Sequence, residues 1–295
     1  PIPGPGVPPP LGTARPTEAL PYSAAVAARF PEPATRYETP GLEAGRNTFT
    51  TQAEMAQLLR DVASKSLGSG TLLGLVTAGT SQRGVPIQAL VATRARSIEP
   101  RALDAIERPT VLLVAQQRGN EPASSEALLV VARELAPGGL LEPLLARINV
   151  VVVARANPDG AQSGVRATAN GVDLTHDHLL LRTPEAKALA ALIRDYRPTV
   201  VIDAGEYEVA GPYLQKYRAL QRPDVQLQYA STANVHEFVG KASNEWYLLP
   251  MQKALTEQGQ STNWYYTTTR DPADLSLSMG GVRPDTGRNV YKKKN

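Results

Sequence analysis

The sequence predicts a single α/β domain with a mixed, mainly parallel central sheet and helices on both faces. Three continuous apolar runs support this prediction: residues 109–115, 148–154 and 199–203. Apolar runs of this length are typical of strands that are covered on both faces, as in largely parallel sheets. Stretches of helical periodicity lie between the runs, and this alternation of strand and helix is typical of α/β domains.

The first predicted helix covers residues 52–64. Thr51 and Glu54 form the pattern of a capping box, which marks the start of a helix. Apolar residues then recur at the spacing of a helix that buries one face. These residues are Met55, Leu58, Leu59 and Val62.

Turn residues and prolines predict the next elements. Two strands are expected over 72–78 and 86–93, joined by the turn Gly79–Gly84. Helices are expected over 122–136 and 184–196, because each begins with a proline, which is favourable in the first turn.

The last part of the domain is predicted to contain a helix and a strand. The helix covers 241–257, and Pro250 is expected to kink it because proline lacks a backbone N–H. The strand covers 262–268.

Composition excludes several classes of protein. Of the 295 residues, 42% are apolar and 20% are charged, so the chain is globular and not largely disordered. The sequence has no cysteine, which excludes disulfides and thiolate metal sites. It has no run of 18 apolar residues, so no membrane span is expected. The pI of 9.1 is that of a basic protein, but the net charge of +3 equals the charge of Lys292–Lys294 alone. The sequence has no basic stripe of the kind that binds nucleic acids, so no nucleic-acid partner is expected.

Both ends of the chain differ from its middle. Eleven of the 25 prolines lie within the first 40 residues, so residues 1–44 are expected to form an extended, proline-rich segment. Residues 45–291 form the predicted domain, and 292–295 form a basic tail. The chain fits the mature form of an exported protein, periplasmic or secreted, although no signal segment is visible.

Polar residues cluster in three loops that follow the apolar strands. The loops are 116–122, 157–178 and 203–206. Open α/β sheets place their sites at this end of the strands. Each loop also has a purely structural interpretation: Glu121 as a helix N-cap, residues 157–160 as a turn, and the carboxylates of 203–206 as solvated charges.

The order and spacing of these loops resemble the zinc metallocarboxypeptidases of the carboxypeptidase A type. That family carries His-x-x-Glu, N-P-D-G, an arginine, a G-V-D segment and a later histidine. The matching stretches here are Gln117–Glu121, Asn157–Gly160, Arg166, Gly171–His178 and Ile202–Glu206. The resemblance covers about residues 45–291 and implies a carboxypeptidase-like fold, a zinc cofactor and removal of C-terminal residues from peptides.

The departures from the family pattern fall on the residues that bind zinc. By the resemblance, Arg118 and Gly205 stand where the family has histidine ligands, and Glu121 alone keeps its ligand identity. Arg118 has no lone pair to donate, and Gly205 has no side chain. His176 and His178 are two residues apart and, on an extended segment, would share one face, so with Glu121 they offer a rebuilt metal site as a weaker alternative.

The resemblance also assigns residues to substrate binding. Arg166 matches the arginine that stabilises the oxyanion, while Thr175 and His176 match the Asn-Arg pair that binds the substrate carboxylate. The family's general-base glutamate follows a segment like Asp285–Asn289. The sequence ends at Asn295 before any such residue, which predicts a truncated domain with no intact catalytic residue.

Two functions follow as alternatives. The favoured one is a protein with a lost metal site and no predicted cofactor, which is catalytically inactive and at most a weak binder of peptides or C-terminal carboxylates. The other is an active zinc metallocarboxypeptidase, which family resemblance alone implies.

Overall fold

The computed structural model describes residues 37–66, 70–209, 211–230 and 235–266, together with the single residues 273, 275 and 277. Most of the proline-rich segment, the stretch 285–289 and the basic tail lie outside these described residues. No helix in the described ranges is both long enough and apolar enough to cross a membrane.

A five-stranded mixed sheet forms the centre of the fold, in the order β1-β2-β4-β3-β5. Strand β2 is antiparallel to both of its neighbours, whereas β3 is parallel to β4 and to β5. Four of the five strands therefore run in one direction, which confirms the predicted fold class. The strands are β1 Leu72–Thr80, β2 Pro86–Thr93, β3 Thr110–Ala115, β4 Asn149–Val153 and β5 Val200–Ala204.

Helices cover both faces of this sheet. One apolar cluster joins α1 and α3 to one face, and a second joins α2 and α5 to the other. Neighbouring residues of a strand point to opposite clusters, as the pleat requires: Val151 belongs to one and Val152 to the other. The helices are α1 Gln52–Ser64, α2 Pro100–Ala105, α3 Pro122–Glu134, α4 Pro158–Ser163, α5 Pro184–Tyr196, α6 Gly211–Tyr217, α7 Glu237–Ala242 and α8 Leu249–Glu257.

The elements with clear local signals are confirmed. Helix α1 has the predicted bounds, and both bonds of its capping box form: Glu54 N donates to Thr51 Oγ1 at 3.3 Å, and Thr51 N donates to Glu54 Oε2 at 2.8 Å. The predicted turn between the first two strands forms as well. Gly84 has φ 79° there, a conformation that favours glycine.

The region after β5 differs from the prediction. Two short parallel strands, β6 Val225–Leu227 and β7 Thr262–Trp264, form a separate sheet. The strand predicted over 262–268 therefore ends at Trp264 among the described residues, and positions 267 and 268 lie outside them. The predicted helix is a succession of α7, a π-helical turn at Ser243–Leu248, and α8. Pro250 lies in the first turn of α8, where its missing N–H costs least. A π-helical turn, which is wider than an α-helical turn, directly precedes this helix.

Glu185 is a buried carboxylate without a cationic partner in the described part of the chain. It is fully buried, its Oε1 accepts from Gln82 N at 3.1 Å, and its Oε2 has no partner. Burial raises its pKa; bonds from its own backbone N–H and that of Gln82 oppose the rise, and the charges of Asp159 and Asp177 add to it.

We therefore expect Glu185→Gln to stabilise the fold at pH 7 by about 1 kcal/mol, since it removes an uncompensated buried charge. A raised native pKa means that stability is greatest below the unfolded pKa and falls as the pH rises through the native pKa. The gain should vanish near pH 4. Urea unfolding at both pH values measures it, with the exposed Glu107→Gln as control. An equal gain in stability at pH 4 and at pH 7 would show that the gain does not come from removing the charge of Glu185.

Candidate functional site

The candidate site lies where the loops after β3 and β4 meet. The first loop begins at Gln116, whose φ is 49°, and its side chain braces the turn by donating from Nε2 to Gly119 O at 2.9 Å. Arg155, just after β4, donates from Nε to Gln116 Oε1 at 2.7 Å. Both side chains are buried, so the two loops form one hydrogen-bonded unit.

Two glycines bring the loops into direct contact. A Cβ on Gly119 would lie 2.0 Å from the carbonyl carbon of Gly160, so only glycine fits at this crossing. Asn157 accepts from Gly160 N at 2.9 Å as the N-cap of α4, and its Nδ2 donates to Gln117 O at 3.2 Å. The turn interpretation of residues 157–160 is therefore incomplete, because Asn157 also joins two site loops.

A chain of alternating charges fills the space between the loops. Arg118 Nη1 donates to Glu121 Oε1 at 3.0 Å, and Arg118 Nε lies 3.7 Å from Asp173 Oδ2. The same Asp173 oxygen accepts from Arg166 Nε at 2.7 Å. The Arg118 and Glu121 side chains are only 9% and 11% exposed, whereas Arg166 is 44% exposed at the outer end. We call these four residues the ion-pair chain.

Asp173 is the centre of the ion-pair chain. Its second oxygen, Oδ1, accepts from Thr175 N at 3.0 Å and from Thr175 Oγ1 at 2.7 Å. Burial opposes ionisation, but the hydrogen bonds from Thr175 and Arg166 and the charges of Arg166 and Arg118 outweigh it. The pKa of Asp173 is lowered to about 2. The carboxylate is therefore ionised throughout the neutral range.

Glu121 does not cap its own helix. It occupies the N-cap position of α3, but its side chain makes no capping bond and points to Arg118. Glu206, from the loop after β5, instead accepts from Ala123 N at 2.7 Å, while Glu206 N donates to Glu121 Oε2 at 3.2 Å. Burial raises the pKa of Glu206, the bond from Ala123 opposes this, and the charge of Glu121 adds to it. Sequence reasoning missed this role, because the bond joins residues that are 83 positions apart.

The two histidines of the second loop do not share a face. Residues Leu174–His176 form a short 3₁₀ helix, which leaves His176 exposed, whereas His178 is buried with Nε2 2.6 Å from Gln117 Oε1. The segment is not extended, so the geometric premise of a rebuilt metal site is wrong. No group of three His, Cys, Asp or Glu in the described residues is arranged to hold a metal ion.

The other expected binding residues are placed as follows. Thr175 is 1% exposed and its hydroxyl is bonded to Asp173, so it supports the ion-pair chain from within. Arg166 and His176 are exposed. Gly205 is exposed directly beside Glu206.

Comparison with known proteins identifies a family. A family model described as zinc carboxypeptidase matches residues 65–285. Carboxypeptidase 2 of Trichophyton rubrum is 26% identical over 174 residues, which cover 58% of this chain and 32% of that protein. The chain therefore spans about a third of the length of this relative.

Solved structures share the fold at low sequence identity. A metallo-carboxypeptidase from Pseudomonas aeruginosa, in complex with (2-guanidinoethylmercapto)succinic acid, has a TM-score of 0.55 and 18% identity, covering 82% of this chain and 57% of that one. A metallo-carboxypeptidase from Burkholderia cenocepacia has a TM-score of 0.54 and 19% identity, covering 77% and 55%.

The buried end of the ion-pair chain should matter more to stability than its exposed end. We expect Arg118→Ala to lower the free energy of unfolding by about 1–3 kcal/mol, because it leaves Glu121 buried without its cation. Arg166→Ala is the matched control and should cost less than about 1 kcal/mol, since that side chain is exposed. Chemical denaturation of both variants measures the difference. Equal losses of unfolding free energy in the two variants would show that the burial of the arginine does not determine the loss.

Proposed function

The chain belongs to the zinc carboxypeptidase family, and from this premise we propose that it is a metal-free member that binds peptides by their C-terminal carboxylate without hydrolysing them. The observation that carries the proposal is the buried ion pair between Arg118 and Glu121. The sequence resemblance assigns these two positions, with Gly205, to the three zinc ligands of the family. A fixed cation thus stands where the family binds a metal cation.

The residues at these positions do not fit zinc. A catalytic zinc needs three protein ligands and one open position, but an arginine offers no lone pair and a glycine offers no side chain. Both oxygens of the remaining Glu121 are already hydrogen-bonded, one to Arg118 and one to Glu206 N. The guanidinium would also repel a dication. We therefore assign no hydrolytic step to this site.

Arg166 supports the retained binding function. Its Nε is held by Asp173, and its side chain is 44% exposed. The two terminal nitrogens of a guanidinium carry N–H donors whose planar fork matches a carboxylate. Asp173 remains ionised and therefore holds the guanidinium in one orientation over the neutral range. His176 is exposed in the same loop and supplies a further polar contact.

We expect the unmodified chain to copurify with less than stoichiometric zinc, as measured by elemental analysis. Arg118→His combined with Gly205→His should restore zinc binding, because ligand identity and convergence are the main requirements for a site. Arg118→His alone, which adds only one ligand, is the control and should bind zinc weakly. One zinc per unmodified chain, together with release of C-terminal residues from peptides, would overturn the proposal in favour of an active metallocarboxypeptidase.

Carboxylate binding is tested with a pair of peptides that differ only in a free or an amidated C-terminus. We expect calorimetry to show that the free acid binds about tenfold more tightly, as one charge-assisted contact supplies roughly this difference. Arg166→Ala should abolish the preference. Arg147→Ala should keep it, because this exposed arginine precedes β4, whereas the site loop follows β4. Equal binding of both peptides by the unmodified chain would contradict the proposal.

A further inference from the structure

A set of buried hydrogen bonds fastens residues 39–50, the segment before α1, to helix α3. Glu126 of α3 is buried, and its carboxylate accepts three hydrogen bonds from this segment. Thr50 donates from N to Oε1 at 2.6 Å and from Oγ1 to Oε2 at 2.8 Å, and Thr39 Oγ1 also donates to Oε2. We call residues 39–50 the strap. Both of its ends are therefore anchored on one buried carboxylate.

The end of the strap also contacts Arg155, which follows β4. Thr50 O accepts from Arg155 Nη2 at 2.7 Å, and Gln52 Oε1 accepts from Nη1 at 3.2 Å. The third acceptor of this buried guanidinium is Gln116 Oε1, so all three are neutral oxygens. Burial lowers the pKa of Arg155, and the charge of Glu126 opposes this lowering. Thr50 therefore bonds to two buried groups of opposite charge.

Hydrogen bonds continue from Arg155 to the ion-pair chain. Gln116, which Arg155 holds, donates from Nε2 to Gly119 O at 2.9 Å. Gly119 N donates to Arg166 O at 3.4 Å, and Gly119 directly follows Arg118 in the sequence. The contacts of the strap therefore reach the loop that carries Arg118.

The strap has little apolar anchorage of its own. In the described part of the chain, only its two ends, Thr39 and Thr50, are buried. Its large apolar side chains, Leu42 and Phe49, are 51% and 47% exposed. A segment with few buried apolar contacts opens at a lower free energy than the core. The strap can therefore leave Glu126 while the central sheet stays folded.

Release of the strap would remove the donors and the acceptor that Thr50 supplies to two buried charges. A buried charge without partners is costly, and a direct ion pair compensates both charges at once. We propose that Arg155 is a positioning residue that exchanges Gln116 for Glu126 when the strap is released. Docking of the strap then holds the loop in its binding geometry, and release frees it. The inference rests on the proposed function for what the site binds, but not for the movement of the loop.

Hydrogen–deuterium exchange of the folded chain tests the movement of the loop. Thr39→Val combined with Thr50→Val, the valine pair, removes both hydroxyl donors to Glu126. The matched control, the serine pair, is Thr39→Ser combined with Thr50→Ser, which keeps both hydroxyls. The valine pair should exchange at least tenfold faster than the unmodified chain at residues 116–121, because bonds to a buried charge are lost. The serine pair should not.

Helix α5 shows whether the effect is local. Its residues 184–196 pack on the opposite face of the sheet from α3, so their exchange should be unchanged in both pairs. Faster exchange confined to residues 39–50 would overturn the proposal, because the strap would then be independent of the loop. An equal increase in α5 would also overturn it, because the variant would then have loosened the whole fold.

A further substitution separates an exchange of partner from simple loosening. Adding Glu126→Gln to the valine pair removes the charge that attracts Arg155. Arg155 should then stay on Gln116, and exchange at residues 116–121 should return to that of the unmodified chain. Residues 39–50 should still exchange fast, since the strap remains released. A merely structural contact predicts further loosening of the loop instead, and that result would overturn the proposal.

The peptides with a free or an amidated C-terminus give a second readout. The serine pair should keep the preference for the free acid, the valine pair should lose it, and adding Glu126→Gln should restore it. If the unmodified chain has no preference, the proposed function fails, and the exchange measurements still decide the change of partner. A preference that persists in the valine pair while the loop exchanges fast would overturn the positioning role.

Discussion

The burial of the Arg118 guanidinium is the constraint on which the site depends. A charge that is only 9% exposed is costly to remove from water, so it must be matched by nearby carboxylates. Glu121 supplies one from the start of α3, and Asp173 supplies another from the loop before the 3₁₀ helix. Each carboxylate is itself fixed by backbone or side-chain donors. Arg118 thus cross-links loops that follow different strands, a role that a metal ion fills in other folds.

The same network explains why the loops are held so closely. Gly119 permits the contact between them, and Asn157 joins their backbones by donating to the carbonyl oxygens of Gln117 and Arg166. Replacement of either residue would move Asp173 away from Arg118, whereas Glu121 lies in the same loop as Arg118. The ion-pair chain is therefore a consequence of the packing of β3 and β4, whose strand ends set the positions of both loops.

The fold was largely predictable because its main elements carry local signals. Helices α1 and α5 have the expected bounds since their caps and prolines mark where they begin. Helices α2, α4 and α6, of six or seven residues, were missed because they are too short to show periodicity. Among site residues, Arg118 and Glu121 were found through their resemblance to the family's His-x-x-Glu stretch, and the structure pairs their side chains. The role of Glu206 depends on contact between distant loops, which no local pattern records.

Burial is highest in the central strands and falls toward both edges of the sheet. All five residues of β4 are buried, whereas none of β5 is. The loops after β3 and β4 are therefore held rigidly, while β5 and the segments beyond it contribute fewer buried contacts and open more easily. Glu206 lies at the boundary, in the loop after β5, and bonds to both Glu121 and the first turn of α3.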